Sequence, residues 1–147
     1  MTYQLNPIGH VESPLTDRAR APKQGREGAP DAWLVFRPEM ATGLGDLSVG
    51  ADIIVLTWLH QADRNVLSVH PRDNPKNRLT GVFGTRSADR PNPIGLHRVR
   101  IVAMQIPTTE TTAHPGFLTG RPRIRVSDLE AVDGTPIVDV KPALSDR

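Results

Sequence analysis

Ala51-Asp52-Ile53-Ile54-Val55-Leu56-Thr57-Trp58-Leu59 is a short apolar run rich in β-branched residues. It reads as a β-strand buried on both faces, and the rest of the chain repeats the same theme in shorter pieces. Arg98-Val99-Arg100-Ile101 and Arg123-Ile124-Arg125-Val126 alternate charged with apolar residues, the period-2 pattern of half-buried strands. Trp33 to Phe36, Val66 to Val69, Val82-Phe83 and Ile137 to Val140 are further short strand candidates, separated by turns rich in Pro, Gly, Asn and Asp. A helix fits only as a short piece around Ala41 to Leu47. Many short strands at fairly even spacing predict a mainly β fold: a compact closed β-barrel with short helices and long loops.

Composition limits the alternatives. A chain of 147 residues forms one domain, large enough to bury most of its unfolded surface without covalent staples. There is no cysteine, so disulfides and thiolate metal sites are excluded. The start, Met1-Thr2-Tyr3-Gln4-Leu5-Asn6-Pro7, lacks the basic and apolar regions of a signal peptide. No apolar stretch approaches the ~18 residues that suggest a membrane span. A cytoplasmic protein is expected. Fourteen prolines are about twice the average usage, and the long gap between them runs from Pro38 to Pro71, so long helices are disfavoured elsewhere. The segment from Pro14 to Pro30 is polar and rich in charges, Gly and Pro; it is either an ordered functional loop or a flexible one.

The formal charge of +2 announces no nucleic-acid partner by itself. Its distribution is uneven, however. Between His60 and Arg100, eight basic residues face three aspartates, a balance of +5 that leaves −3 for the remainder. A basic middle can guide a phosphate backbone. The alternative is a set of ordinary solvated arginines. No Gly-x-Gly-x-x-Gly follows a strand, and neither a phosphate-binding loop nor a nucleophile elbow is present. The five histidines, at 10, 60, 70, 97 and 114, have no metal-ligand spacing, and no metal is expected.

The stretch Gly81-Val82-Phe83-Gly84-Thr85-Arg86-Ser87-Ala88-Asp89-Arg90-Pro91-Asn92-Pro93-Ile94-Gly95-Leu96 carries more information. Each proline fixes its own φ and drives Arg90 or Asn92 toward extended geometry. Gly84 and Gly95 permit positive φ or close backbone approach. A loop so stiffened has little entropy left to lose on binding, which suits a rigid binding wall; it also suits a plain tight connection between strands.

This run resembles the signature of the TsaA-like family, the tRNA threonylcarbamoyl-adenosine N6-methyltransferases. Other segments match in the family's order. Ile8 to Leu15 looks like its opening strand and turn, and Ala21-Pro22-Lys23-Gln24-Gly25 is similar to its Pro-Arg-Gln segment. Leu56 to His60 resembles its aromatic-rich strand, and Val132 to Pro142 its Asp-Gly-Thr-Pro run. Many members continue into a second, smaller domain. Here a single TsaA-like domain over residues 1–147, with no C-terminal extension domain, is expected.

The resemblance implies a compact mainly β barrel, S-adenosyl-L-methionine as cofactor, tRNA as partner and a homodimer with cofactor near the subunit interface. Carried over by position, cofactor contacts fall on Pro22, Lys23, Gln24, His60, Gln61, Arg86, Leu96, Glu130, Ala131, Val132 and Asp133. Arg86 suits an anionic group and Leu96 an apolar part of the cofactor. Glu130 and Asp133 can accept from hydroxyls or an amine, although Asp133 before Gly134 also reads as an ordinary turn. Lys23 stands where the family has Arg, keeping the charge and losing the bidentate fork. Arg90 either contacts substrate or braces its loop. The acceptor nitrogen is amide-like and needs a base or water relay; His60 and Asp133 are candidates, beside Glu130, and the sequence does not choose. A small-molecule acceptor, or a regulatory module that binds cofactor without catalysis, stays open.

Overall fold

In the computed structural model, which describes residues 1–107 and 120–144, eight strands account for most of the regular structure. They are β1 (Gly9–Glu12), β2 (Ala32–Phe36), β3 (Asp52–Trp58), β4 (Ser68–Val69), β5 (Thr80–Gly81), β6 (Ile94–Gln105), β7 (Arg123–Val126) and β8 (Pro136–Pro142). Six of them pair antiparallel in the order β1-β2-β7-β6-β3-β8, and β8 pairs back onto β1, so the sheet closes on itself as a ring. β4 and β5 form a separate two-stranded ribbon.

The interior follows from the period of the strands. Along β6, Gly95, His97, Val99 and Ile101 point inward, while Ile94, Leu96, Arg98, Arg100 and Val102 point outward. Val11, Leu34, Phe36, Ile53, Val55, Ile124, Val126 and Ile137 complete the inward set, with Leu44, Leu129 and Ala131 packed against it. Burying side chains of this size is the main force holding the ring together, at roughly 1.5–3 kcal/mol each. β6 is long enough to pair with β3 on one side and β7 on the other, and its register against β7 slips between Ile101 and Ala103.

Several local expectations need correction. β3 is buried on one face only: Ile53, Val55 and Thr57 are inside, whereas Ile54, Leu56 and Trp58 on the outer face are half-buried. The Arg64 guanidinium covers the Trp58 ring at 5.0 Å, so part of that apolar face is shielded by a cation. Val82-Phe83 is not a strand. Val82 is buried and Phe83 80% exposed, and residues Val82–Gly84 form a 3-10 turn that lets only one of the two reach the core. The expected helix at Ala41 to Leu47 is a 3-10 helix displaced to Pro38–Leu44, where Pro38 opens the first turn.

The 14–30 segment is tied down. It contains 3-10 turns at Arg18–Arg20 and Gly25–Glu27, the second closed by Gly28 at φ +97°. Three ion pairs connect it to the excursion between β3 and β6: Arg18 to Asp89 at 2.6 Å, Lys23 to Asp73, and Arg72 to Glu27 at 2.5 Å. Singly such exposed pairs contribute little. Here three of them span the same two segments. Arg72 and Asp73 both sit at positive φ, 59° and 55°, so the two side chains that reach across spring from a strained corner.

Candidate functional site

The segment from Arg18 to Glu27 meets the turn after β3, the Pro-Asn-Pro loop and Glu130 at two polar junctions. Arg18 is the clasp. Its Nη1 donates to the Gln61 carbonyl at 3.0 Å and its Nη2 to the Asp89 carboxylate at 2.6 Å. Asp89 also accepts from the Asp63 backbone N–H at 2.8 Å. Burial works against the charge on Asp89, yet the Asp63 N–H and the Arg18 guanidinium together hold its carboxyl below the ordinary value. One guanidinium thus joins the 18–27 segment, the turn after β3 and the Pro-Asn-Pro loop.

A second junction lies deeper. The buried His97 ring places Nδ1 2.6 Å from Glu130 Oε1 and Nε2 2.7 Å from the Thr57 hydroxyl. Gly95, cross-strand partner of Thr57, makes room for this contact. A Cβ there would stand 2.3 Å from Thr57 Oγ1 and 2.6 Å from His97 Nε2. The other Glu130 oxygen, Oε2, lies on the Gly25 side, 3.1 Å from where a Cβ on that glycine would be. The segment that begins Pro22-Lys23-Gln24 therefore runs past the Glu130 carboxylate.

Of the single residues, Pro22 is half-buried and Gln24 exposed, and the Gln24 carbonyl closes the Gly25–Glu27 turn. Lys23 is exposed with its ammonium on Asp73. His60 and Gln61 follow β3 on the surface. Arg86 is exposed and, among the described residues, its guanidinium has no hydrogen-bond or ion-pair partner. Leu96 is 48% exposed on the outer face of β6. Ala131 and Val132 are buried and can offer a ligand only backbone or apolar contact.

Two candidates are used structurally. Asp133 Oδ1 accepts from the Ser13 N–H at 3.0 Å and the Asp133 N–H donates to Leu15 at 2.6 Å, just before Gly134 at φ +83°. That is the ordinary-turn reading of Asp-Gly. Arg90 Nη2 donates to the carbonyls of Val82 and of Thr85, the latter at 2.9 Å, so its guanidinium braces the loop it belongs to. The sequence reading missed Arg18, Thr57 and His97. The signal for His97 was its inward parity on an alternating strand, two residues after Gly95.

A hollow of about 290 Å³ lies elsewhere, lined by Pro7, Gly9, His10, Arg37 and Arg121, and contains none of the carried-over residues. Among the described residues no group of three His, Asp or Glu is placed to hold a metal ion, and no helix is long and apolar enough to cross a membrane.

A closed antiparallel ring with a polar cluster where its loops converge defines a class of small β proteins rather than a Rossmann enzyme. The chain belongs to the family of the tRNA-methyltransferase O N-terminal domain, whose model matches residues 10–146. It is 38% identical over 146 residues to a Methanothermobacter thermautotrophicus protein named "Probable S-adenosyl-L-methionine-binding protein", covering 99% of this chain and 93% of that one. An Archaeoglobus fulgidus S-adenosyl-L-methionine-binding protein is 38% identical over 137 residues, covering 93% of this chain and 86% of that one. The crystal structure of TrmO from Pseudomonas aeruginosa matches with a TM-score of 0.68 and 27% identity; the match takes in 98% of this chain and 57% of that chain. The present chain thus spans most of the two archaeal relatives and somewhat over half of the solved enzyme.

Proposed function

We propose that this protein is an S-adenosyl-L-methionine-dependent methyltransferase, built as one TsaA-like domain on a small β-barrel, that acts on the N6 nitrogen of threonylcarbamoyl-adenosine next to the tRNA anticodon. The observation that carries the reading is the convergence of the family-matched segments: Arg18 clasps the Gln61 and Asp89 turns while the Pro22–Gln24 segment continues past Glu130.

The donor set fits the cofactor. Arg86, exposed and uncommitted among the described residues, suits a carboxylate; Glu130 suits hydroxyl or ammonium donors; exposed Leu96 suits an apolar surface. When bound, the cofactor supplies an already activated methyl group, so the protein's work is alignment and exclusion of water. The proline-stiffened loop, braced from within by Arg90, holds Arg86 and Leu96 at its two ends with little freedom to lose. Of the candidate bases for the proton on the acceptor nitrogen, His60 and Asp133 are both exposed, and the Asp133 carboxylate already accepts from the Ser13 N–H.

tRNA is the proposed partner, reached through the basic segment between His60 and Arg100; a cytoplasmic homodimer is part of the same reading. One observation favours a second reading with a small-molecule acceptor. Several arginines of that basic segment are engaged within the protein, with Arg72 on Glu27, Arg100 on Asp52 and Arg90 on its own loop, so less charge is left for phosphates.

The deciding experiment gives purified protein labelled cofactor and tRNA with or without the threonylcarbamoyl group. Methyl transfer to the modified tRNA alone is expected. Tight cofactor binding without transfer to that tRNA moves the small-molecule or regulatory reading ahead.

A further inference from the structure

Thr57, His97 and Glu130 form a hydrogen-bonded chain running from the interior of the ring to the convergence of its loops. Thr57 is wholly buried, His97 is 4% exposed, and the Glu130 side chain is 18% exposed. The order hydroxyl, imidazole, carboxylate is that of a nucleophilic triad. Burial excludes that use here, because no substrate reaches the Thr57 oxygen. What remains is a chain whose partly exposed end is the carboxylate.

A neutral imidazole offers one donor and one acceptor, and both ring nitrogens of His97 are engaged. An ionised Glu130 only accepts, so Nδ1–H donates to Oε1 and Nε2 takes the Thr57 hydroxyl hydrogen. Thr57 therefore fixes the ring, and the ring fixes one carboxylate oxygen. The second oxygen is left on the Gly25 side, beside the segment that carries Pro22 to Gln24. A polar residue at this inward position is otherwise expensive, since the next inward positions of β6 hold Val99 and Ile101.

Resting on the cofactor reading above, we infer that His97 is a positioning residue of the donor site: it clamps Glu130 so that the remaining carboxylate oxygen meets a hydroxyl or ammonium donor of the ligand. A carboxylate already held in one rotamer loses less freedom when the ligand arrives. Replacing a residue that merely filled the core would affect folding, and any change it made in the ligand's affinity would be the same with and without Glu130.

Calorimetric titration of S-adenosylmethionine into wild type, His97→Leu, His97→Asn, Glu130→Ala and the Leu/Ala double variant tests this. His97→Leu should weaken binding roughly tenfold or more, the low end for a hydrogen bond to a charged group. His97→Asn, whose amide N–H can stand in for Nδ1–H, should restore most of the loss. In the Glu130→Ala background His97→Leu should add less than about twofold, because the clamp has nothing left to hold. Unchanged affinity in folded His97→Leu, or an equal loss in both backgrounds, overturns the clamp. Should His97→Leu fail to fold, Thr57→Val releases the ring from the other side. Its loss must likewise vanish without Glu130, and a loss that persists overturns the clamp. Nitrogen-15 NMR of the ligand-free protein gives a readout independent of binding. The His97 ring should be the Nδ1–H tautomer in wild type and change in Glu130→Ala, and a ring unaffected by that substitution also overturns the clamp. Wild type that fails to bind S-adenosylmethionine sinks the cofactor reading itself, a result distinct from any of these.

Discussion

Thr57 of β3 and Gly95 of β6 are cross-strand partners, and the threonine hydroxyl occupies space that any side chain on the glycine would need. A Cβ at 2.3 Å from that oxygen is impossible without movement of a wholly buried group. Gly95→Ala should therefore destabilise the fold by about 1–3 kcal/mol, the range for overpacking a close-packed interior. Urea unfolding measures it. In a Thr57→Ala background the same change should cost less, since the oxygen it strikes is gone. Equal costs in the two backgrounds would place the strain elsewhere.

Arg86 gives the most direct test of the cofactor site. Arg86→Ala should weaken S-adenosylmethionine binding by about 1.5–3 kcal/mol while leaving stability within about 0.5 kcal/mol, because an exposed side chain with no described partner contributes little to folding. Calorimetry on folded mutant protein decides; unchanged affinity would remove Arg86 from the site.

The Arg18–Asp89 clasp predicts an acid-sensitive contribution to stability. The folded Asp89 carboxyl titrates below its ordinary value of 3.8, so the stabilisation is complete above that value and is lost as pH falls through the lower folded one. At neutral pH Asp89→Asn should cost about 1 kcal/mol, given the partial exposure of the pair. The gap between wild-type and mutant urea midpoints should stay level from neutral pH down to about pH 5 and close in stronger acid. A gap that widens in acid would contradict the assignment.

Ile94 and Leu96 point outward from β6 at 44% and 48% exposure, side by side on the surface of the ring. Such apolar neighbours are suited to a partner's surface. Light scattering at micromolar concentration should give the mass of two chains, and Ile94→Lys should shift it toward one. A wild type that is strictly monomeric with cofactor bound would refute the homodimer.

How legible all this was depends on what each residue faces. Arg98 to Ile101 and Arg123 to Val126 announced themselves because one face is buried and the other wet, and that contrast is written in the side chains. The outer face of β3 misled because Ile54, Leu56 and Trp58 are apolar and yet only half-buried. Val82-Phe83 misled because two apolar neighbours cannot show which of them the turn will expose. Periodicity carries no information on which strands pair, so the meeting of β8 with β1 had no local signal. At the site, the family-matched segments were legible. The roles of Arg90 and Asp133 were not, since both are set by backbone groups distant in sequence or hidden in loop geometry.

The place of β8 in the ring has a consequence for how the protein is made. It lies between β1 and β3, so both of these strands await a neighbour that is made after the other five strands of the ring. Until residues 136–142 emerge, β1 and β3 each present a row of unpaired backbone donors and acceptors, the kind of margin on which chains join to one another. Completion is thus deferred to a late, long-range closure, the sort of contact that sets a slow folding rate. Substitutions in β8 that weaken its pairing should accordingly lower the yield of soluble protein before they lower the stability of the molecules that do close.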